Sequence, residues 1–170
     1  MLAHVVPPVS LDQAYEEFHE AEDVHSSGLA AFIDLVESDP VTNYVDCGSK
    51  GGKIVSVDIV PACGDERYCI LQSGKTVKLA WTIQATEALK SLQAKVYGTI
   101  AGIPVPFPLP NSNACKDSGI SCPVKDGDTF TYDLNLDVKS AYPKIHVDVK
   151  FTLVEDGKTV ACFLLPSKIE

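Results

Sequence analysis

Within residues 44–170, the side chains that could do chemistry are six cysteines, a single histidine and a run of four prolines. The histidine, His146, falls on the polar side of an alternating run. No Ser or Cys is left with a His and an acid placed to activate it. Asp126 and Asp128 flank a glycine and read as a turn, not as an acid–base pair. Gly48-Ser49-Lys50-Gly51-Gly52 lacks the spacing of a phosphate loop, and no helix follows it. No C-x-x-C pair occurs, so zinc and thioredoxin-type chemistry are not indicated. No enzyme activity, metal or cofactor is expected. What Cys47, Cys63, Cys69, Cys115, Cys122 and Cys162 offer is cross-linking: an even count in a strand-rich domain reads as three disulfides. Cys63 with Cys69 and Cys115 with Cys122 each bracket a short polar turn and could close small loops, which would leave Cys47 with Cys162. Disulfides imply an oxidising compartment, hence secretion or a lumen.

The prolines offer a different chemistry, that of an apolar surface. In Gly102-Ile103-Pro104-Val105-Pro106-Phe107-Pro108-Leu109-Pro110 they stand two apart. An extended chain turns alternate side chains to opposite faces, so the prolines share one face, and Val105, Phe107 and Leu109 the other. Lacking N–H groups, the prolines bar this segment from the interior of a sheet. A stiff, unpaired apolar rim centred on Phe107 is expected. It reads as a rigid edge covering a core or as the lip of an apolar pocket. Polyproline recognition would need prolines three apart.

The elements that must position this rim are strands. Lys53–Val60, Lys75–Ala85, Leu92–Ile100, Asp128–Val138, Lys144–Val154 and Lys158–Leu165 alternate apolar and polar residues, and Asn43–Cys47 makes a short seventh. Asp156-Gly157 is a hairpin turn. One-sided alternation gives each sheet one apolar face, and two such sheets pack into an immunoglobulin-like all-β sandwich of about seven strands. Ahead of it, residues 1–43 hold nine acids and no Lys or Arg, whereas the chain as a whole has 14 basic and 23 acidic residues. The composition shift sets a boundary between an acidic segment, 1–42, and the sandwich, 43–170. Ser10 with Gln13 is a capping box, and Leu11, Ala14, Tyr15, Phe18 and Ala21 fall on one helical face, so this segment is expected to be partly helical or disordered. It shows no secretory leader: Met1–His4 has no Lys or Arg, and Leu29–Val36 carries Asp34. A neutral sandwich without a basic patch argues against nucleic-acid binding.

Four motifs in order, together with the six cysteines, resemble the Niemann-Pick type C2 group of the ML lipid-recognition family. They are Asp46-Cys47-Gly48-Ser49, the proline run Gly102–Pro110, Cys115 with Ser121-Cys122-Pro123, and Val138-Lys139-Ser140-Ala141-Tyr142-Pro143. The resemblance covers about residues 43–170. It implies a seven-stranded sandwich that opens between its sheets for a sterol or other lipid, and the pairings Cys47–Cys162, Cys63–Cys69 and Cys115–Cys122. It places Phe107, Val138 and Tyr142 at the pocket mouth, with Val105 and Pro143 beside them. Inward strand residues Trp81, Val96, Ile100, Tyr132, Leu134, Val147 and Val149 are then expected to wall the tunnel. Lys116 matches a basic position of the family, and Lys75 is the nearest candidate for another that members carry after the Cys63–Cys69 loop; both could meet anionic lipid head groups or a receptor.

The implied function is carriage of one sterol, such as cholesterol, or of a fatty-acid-like lipid by a monomer, with a lipid membrane or a membrane sterol transporter as the receiving partner. Two alternatives are a secreted carrier of small hydrophobic semiochemicals and an innate-immunity module presenting bacterial lipid. The chain contains no Asn-x-Ser/Thr sequon, which favours an extracellular over a lysosomal destination.

Overall fold

The structure is a computed structural model that describes residues 38–65 and 67–170. The helical pattern expected from Ser10 onward lies outside the described residues. Among those described, every regular element is a strand. β1 (Asp39–Pro40), β3 (Gly52–Val60), β5 (Thr76–Ala85) and β8 (Thr129–Asp137) form one antiparallel sheet in the order β1-β3-β5-β8. The second sheet runs β2-β10-β9-β6-β7, from β2 (Val45–Asp46), β6 (Gln93–Ile100), β7 (Ile103–Phe107), β9 (His146–Glu155) and β10 (Lys158–Ile169). A further strand, β4 (Cys69–Leu71), pairs in parallel with the end of β10. The expected two-sheet, immunoglobulin-like sandwich is the observed fold.

Alternation places the apolar residues as expected. Val77, Leu79, Trp81 and Ile83 of β5 are buried while Thr76, Lys78 and Gln84 stay in water or half in it. Asp156 and Gly157 both have positive φ and join β9 to β10 through a two-residue hairpin, the loop that the Asp-Gly pair favours. The three disulfides join Cys47 to Cys162, Cys63 to Cys69 and Cys115 to Cys122. The first fastens edge strand β2 to the centre of β10.

Three elements depart from the reading of the sequence. Strand pairing begins at Asp39, ahead of the charge shift at Asn43: Asp39 pairs with Ile59, and Val41 is buried and donates its N–H to the Val57 carbonyl at 2.7 Å. The proline rim is not unpaired. Ile103–Phe107 pairs antiparallel with β6 as an edge strand, Val105 opposite Gly98 and Phe107 opposite Val96. Proline is compatible with an edge where the missing N–H would face solvent, and a spacing of two keeps Pro104 and Pro106 on the same edge. The last strand runs on past Leu165 to Ile169. Pro166 falls between the stretch of β10 that pairs with β2 and the stretch that pairs with β4, where a missing N–H does least harm.

The registers stack the core in layers along the strands. Trp81 lies opposite Tyr132 and Val57 in one sheet, and Phe163 opposite Phe151 in the other. Across the gap, the rings of Trp81 and Phe163 meet edge to face at 4.7 Å, and Phe163 stacks on Phe151 at 4.7 Å. This aromatic layer fills the space between the sheets. Beyond it the layers carry smaller side chains: Leu79, Leu134, Leu165, Val149 and Gly98, then Val77, Leu136, Val147 and Ser167. There the sandwich is not filled.

Candidate functional site

The gap is a cavity of about 300 Å³. Sheet two supplies one wall, through Val96, Gly98 and Ile100 of β6 and Val147 and Val149 of β9. Leu136 and Val138, at the end of β8, supply the facing wall, and Leu71 and Ile169 close the far side. The edge strand contributes Val105, Pro106 and Phe107, and the loop before β9 contributes Tyr142, Pro143 and Ile145. Among these side chains the Tyr142 hydroxyl is the one polar group.

Exposure gives the cavity a direction. Ile100 is 36% exposed and Val105 46%, whereas Val138 is 4% and Leu71 5%. The mouth therefore lies at the β6–β7 hairpin, and the depth lies toward β4 and β10. Two turns hold the mouth. Ala101 and Gly102, both with positive φ, reverse the chain between β6 and β7. The Tyr142 N–H donates to the Lys139 carbonyl at 3.0 Å, and that turn returns the Tyr142 ring toward the proline strand. Phe107 and Tyr142 then meet edge to face with centroids 6.0 Å apart. Both are half-buried, an arrangement in which either ring can rotate without breaking a hydrogen-bonded strand.

Nine of the residues singled out in the sequence come together here: Phe107, Tyr142, Val105 and Pro143 around the mouth, and Val138, Val96, Ile100, Val147 and Val149 around the walls. Val138 was expected at the mouth. It sits inside, because its N–H donates to the Lys75 carbonyl and its own carbonyl accepts from the Gly74 N–H, which pins it to the turn before β5. Trp81, Tyr132 and Leu134 were expected in the tunnel wall but do not line the cavity. Trp81 and Tyr132 belong to the aromatic layer, and Leu134 packs in the core beside it. Burial raises the Tyr132 phenol to about 12, so this group stays neutral. Lys75 and Lys116 are exposed and line no part of the cavity.

Leu71, Gly98, Pro106, Leu136, Ile145 and Ile169 complete the lining and were not singled out as ligand contacts. Gly98 and Leu136 stand on faces that alternation already turns inward, and a glycine inside a strand marks close approach or open space. Leu71 and Ile169 arrive through the parallel β4–β10 pairing, which leaves no local pattern in the sequence.

Residues 41–169 match the family model described as ML domain. The chain belongs to the ML domain family. This member is similar to the zebrafish (Danio rerio) NPC intracellular cholesterol transporter 2, 38% identical over 142 residues, 83% of this chain and 93% of that one. It is also similar to the ecdysteroid-regulated 16 kDa protein of Manduca sexta, 36% identical over 126 residues, 74% of this chain and 87% of that one. Among solved structures it resembles a Niemann-Pick type C2 protein from the Japanese carpenter ant, with a TM-score of 0.70, 27% identity, and coverage of 75% of this chain and 98% of that chain. These are Niemann-Pick type C2-like features throughout the ML domain, and they coincide with the stretch that carries the four motifs.

Proposed function

We propose that this ML domain binds one hydrophobic ligand, a sterol or a fatty-acid-like lipid, between its sheets and carries it through water. The observation that carries the reading is the cavity of about 300 Å³, walled by apolar side chains and flanked at its mouth by Phe107 and Tyr142. Kinship with a protein named as a cholesterol transporter favours the sterol. Burying roughly 400–500 Å² of apolar ligand surface would contribute about 10–12 kcal/mol. Loss of translational freedom and ordering take back much of it, which sets the expected affinity between micromolar and high nanomolar. An apolar slot sorts lipids mainly by shape, so several related ligands are expected to compete.

The three disulfides fit an oxidising compartment, and secretion is the matching destination. A lipid membrane, or a membrane sterol transporter, is the receiving partner this reading requires. The test is native mass spectrometry of the purified protein with extraction of its bound lipid, followed by displacement of a fluorescent sterol by cholesterol, oleate and a short-chain hydrophobic ester. Sterol binding at one-to-one stoichiometry is expected. Preferred binding of the ester would favour the semiochemical carrier, and absence of any apolar ligand would overturn the proposal.

A further inference from the structure

The loop that follows the proline strand presents an acceptor group that lipid carriage does not use. Asn113-Ala114-Cys115 has the form Asn-x-Cys, the rarer relative of the Asn-x-Ser/Thr sequon, with no proline in the middle. Two asparagines of this loop differ in character. Asn111 is tied down: its Nδ2 donates to the Asn113 carbonyl at 3.1 Å and to the Lys116 carbonyl at 2.6 Å, and its Oδ1 accepts from the Asn113 N–H at 3.0 Å. The Asn113 side chain accepts only. Its Oδ1 takes the Cys115 N–H at 3.0 Å, while its Nδ2 meets no acceptor among the described residues. Asn113 is exposed, whereas its neighbour Ala114 is buried and donates its N–H to the Leu92 carbonyl, which anchors the loop to the core.

We propose that Asn113 is an N-glycosylation site. The inference rests on the secretory route proposed above, because the transfer takes place in the lumen of that route. In the transfer, Nδ2 of Asn113 bonds to the anomeric carbon of an oligosaccharide held on a lipid pyrophosphate. The carbon–oxygen bond to the pyrophosphate breaks, the pyrophosphate leaves with the electron pair, and Nδ2 gives up one proton. The residue two places on supplies a hydrogen-bonding group beside the amide, a hydroxyl in the common sequon and the weaker Cys115 thiol here. The bond from the Cys115 N–H to the Asn113 Oδ1 joins residues two apart, so this turn forms locally, before the sheets assemble. The thiol is closed off only when Cys115 joins Cys122, at a sequence separation of 7. Synthesis at about 5–20 residues per second brings Cys122 out roughly 1 s behind Cys115. Disulfide formation then takes seconds or longer, which leaves a window for the transfer. The finished fold accommodates the sugar. Asn113 pairs with Gln93 at the start of β6, and Ile100, at the mouth, ends that strand about 23 Å away, so a glycan on Asn113 leaves the mouth open.

The experiment secretes the full chain from insect cells behind a cleavable leader, supplied so that the acceptor is tested apart from the route the chain takes in its own source. Intact mass is compared before and after peptide N-glycosidase, and the peptide spanning position 113 is sequenced, since that enzyme leaves aspartate where the sugar stood. A glycosylated fraction at Asn113 is expected, partial because a thiol is the weaker partner, and Asn113→Gln should abolish it without changing sterol affinity. Cys115→Thr together with Cys122→Ser supplies the hydroxyl and removes the competing disulfide, so occupancy should rise severalfold. An unaltered chain secreted without sugar at Asn113 would overturn the inference, whatever the double variant carries, and would leave the lipid-carrier reading intact. Native protein found in the cytosol of its source would instead overturn the secretory route and this inference with it.

Discussion

Gly98 is the position at which the site and the fold separate most cleanly, and Gly98→Leu is the variant that tests it. The residue sits in β6 opposite Val105 on one side and Val149 on the other, and it lines the cavity. A Cβ built there meets the Val147 Cγ2 at 3.1 Å and nothing else within 4 Å. Its φ is not among the positive ones, so an L residue fits the backbone. Replacing a strand glycine relieves about 0.5–1 kcal/mol of conformational cost, and a small shift of Val147 takes back part of that. Stability should therefore change by no more than about 1 kcal/mol. The leucine side chain, by contrast, projects into the space the ligand needs. Denying the ligand ~100 Å² of apolar burial costs about 2.5 kcal/mol, a loss of roughly sixtyfold in affinity. Thermal unfolding and displacement of a fluorescent sterol measure the two effects on one preparation. A Gly98→Leu protein that melts normally and binds sterol as tightly as the parent would refute the placement of the ligand between the sheets.

The mouth, the staple and the acid limit give three further outcomes. Phe107→Ala removes a half-buried ring from the lip; sterol affinity should fall about tenfold, worth 1.4 kcal/mol, with little change in the urea midpoint, and unchanged affinity would count against a role for the ring. Replacing Cys47 and Cys162 together by serine opens a closure spanning 115 residues; the chain-entropy model sets the loss at about 4–5 kcal/mol, and equilibrium unfolding with a change much under 2 kcal/mol would show that β2 is held by other means. Asp46 is subject to burial, which raises its pKa, but the Ser49 and Gly48 N–H groups that donate to its Oδ1 at 2.9 and 2.8 Å outweigh this and bring it below the usual 3.8. A folded-state value below the unfolded one means that its stabilisation is present above pH 3.8 and is lost as pH falls through the folded value. Asp46→Asn should therefore flatten the acid end of the stability profile, and a superimposable profile would discount the turn.

Which residues face inward could be read from the sequence, because an alternation of two maps directly onto the two faces of a strand. How far along the strand the gap opens could not. Trp81 and Leu136 obey the same alternation, yet Trp81 meets Phe163 across the gap while Leu136 borders the cavity. Depth along the strands depends on which side chains of the other sheet share the layer, and that is fixed by registers between strands distant in sequence. The parallel β4–β10 pairing sets Cys69 opposite Ser167 and Leu71 opposite Ile169, with nothing local to announce it. The proline strand shows the converse. Its face pattern was legible in part: Val105 and Phe107 line the cavity, but Pro106, expected on the opposite face, lines it too, and the pairing with β6 was concealed by the prolines and by an Ala-Gly turn outside the usual Asn-Gly or Asp-Gly signals.

The same reasoning explains why the cavity lies where it does. Large aromatic side chains from both sheets converge in the layer of Trp81, Phe151 and Phe163 and hold the sheets at contact. In the layers that follow, β6 offers Gly98 and β10 offers Ser167, the two smallest inward side chains of their strands in that half. Two sheets fixed apart by rings at one level cannot close over a glycine and a serine at the next, because the strands between are stiff and hydrogen-bonded. An unfilled space follows from that mismatch of size. The Cys47–Cys162 link fastens β10 at the aromatic level, where Cys162 neighbours Phe163, away from the layers that border the cavity.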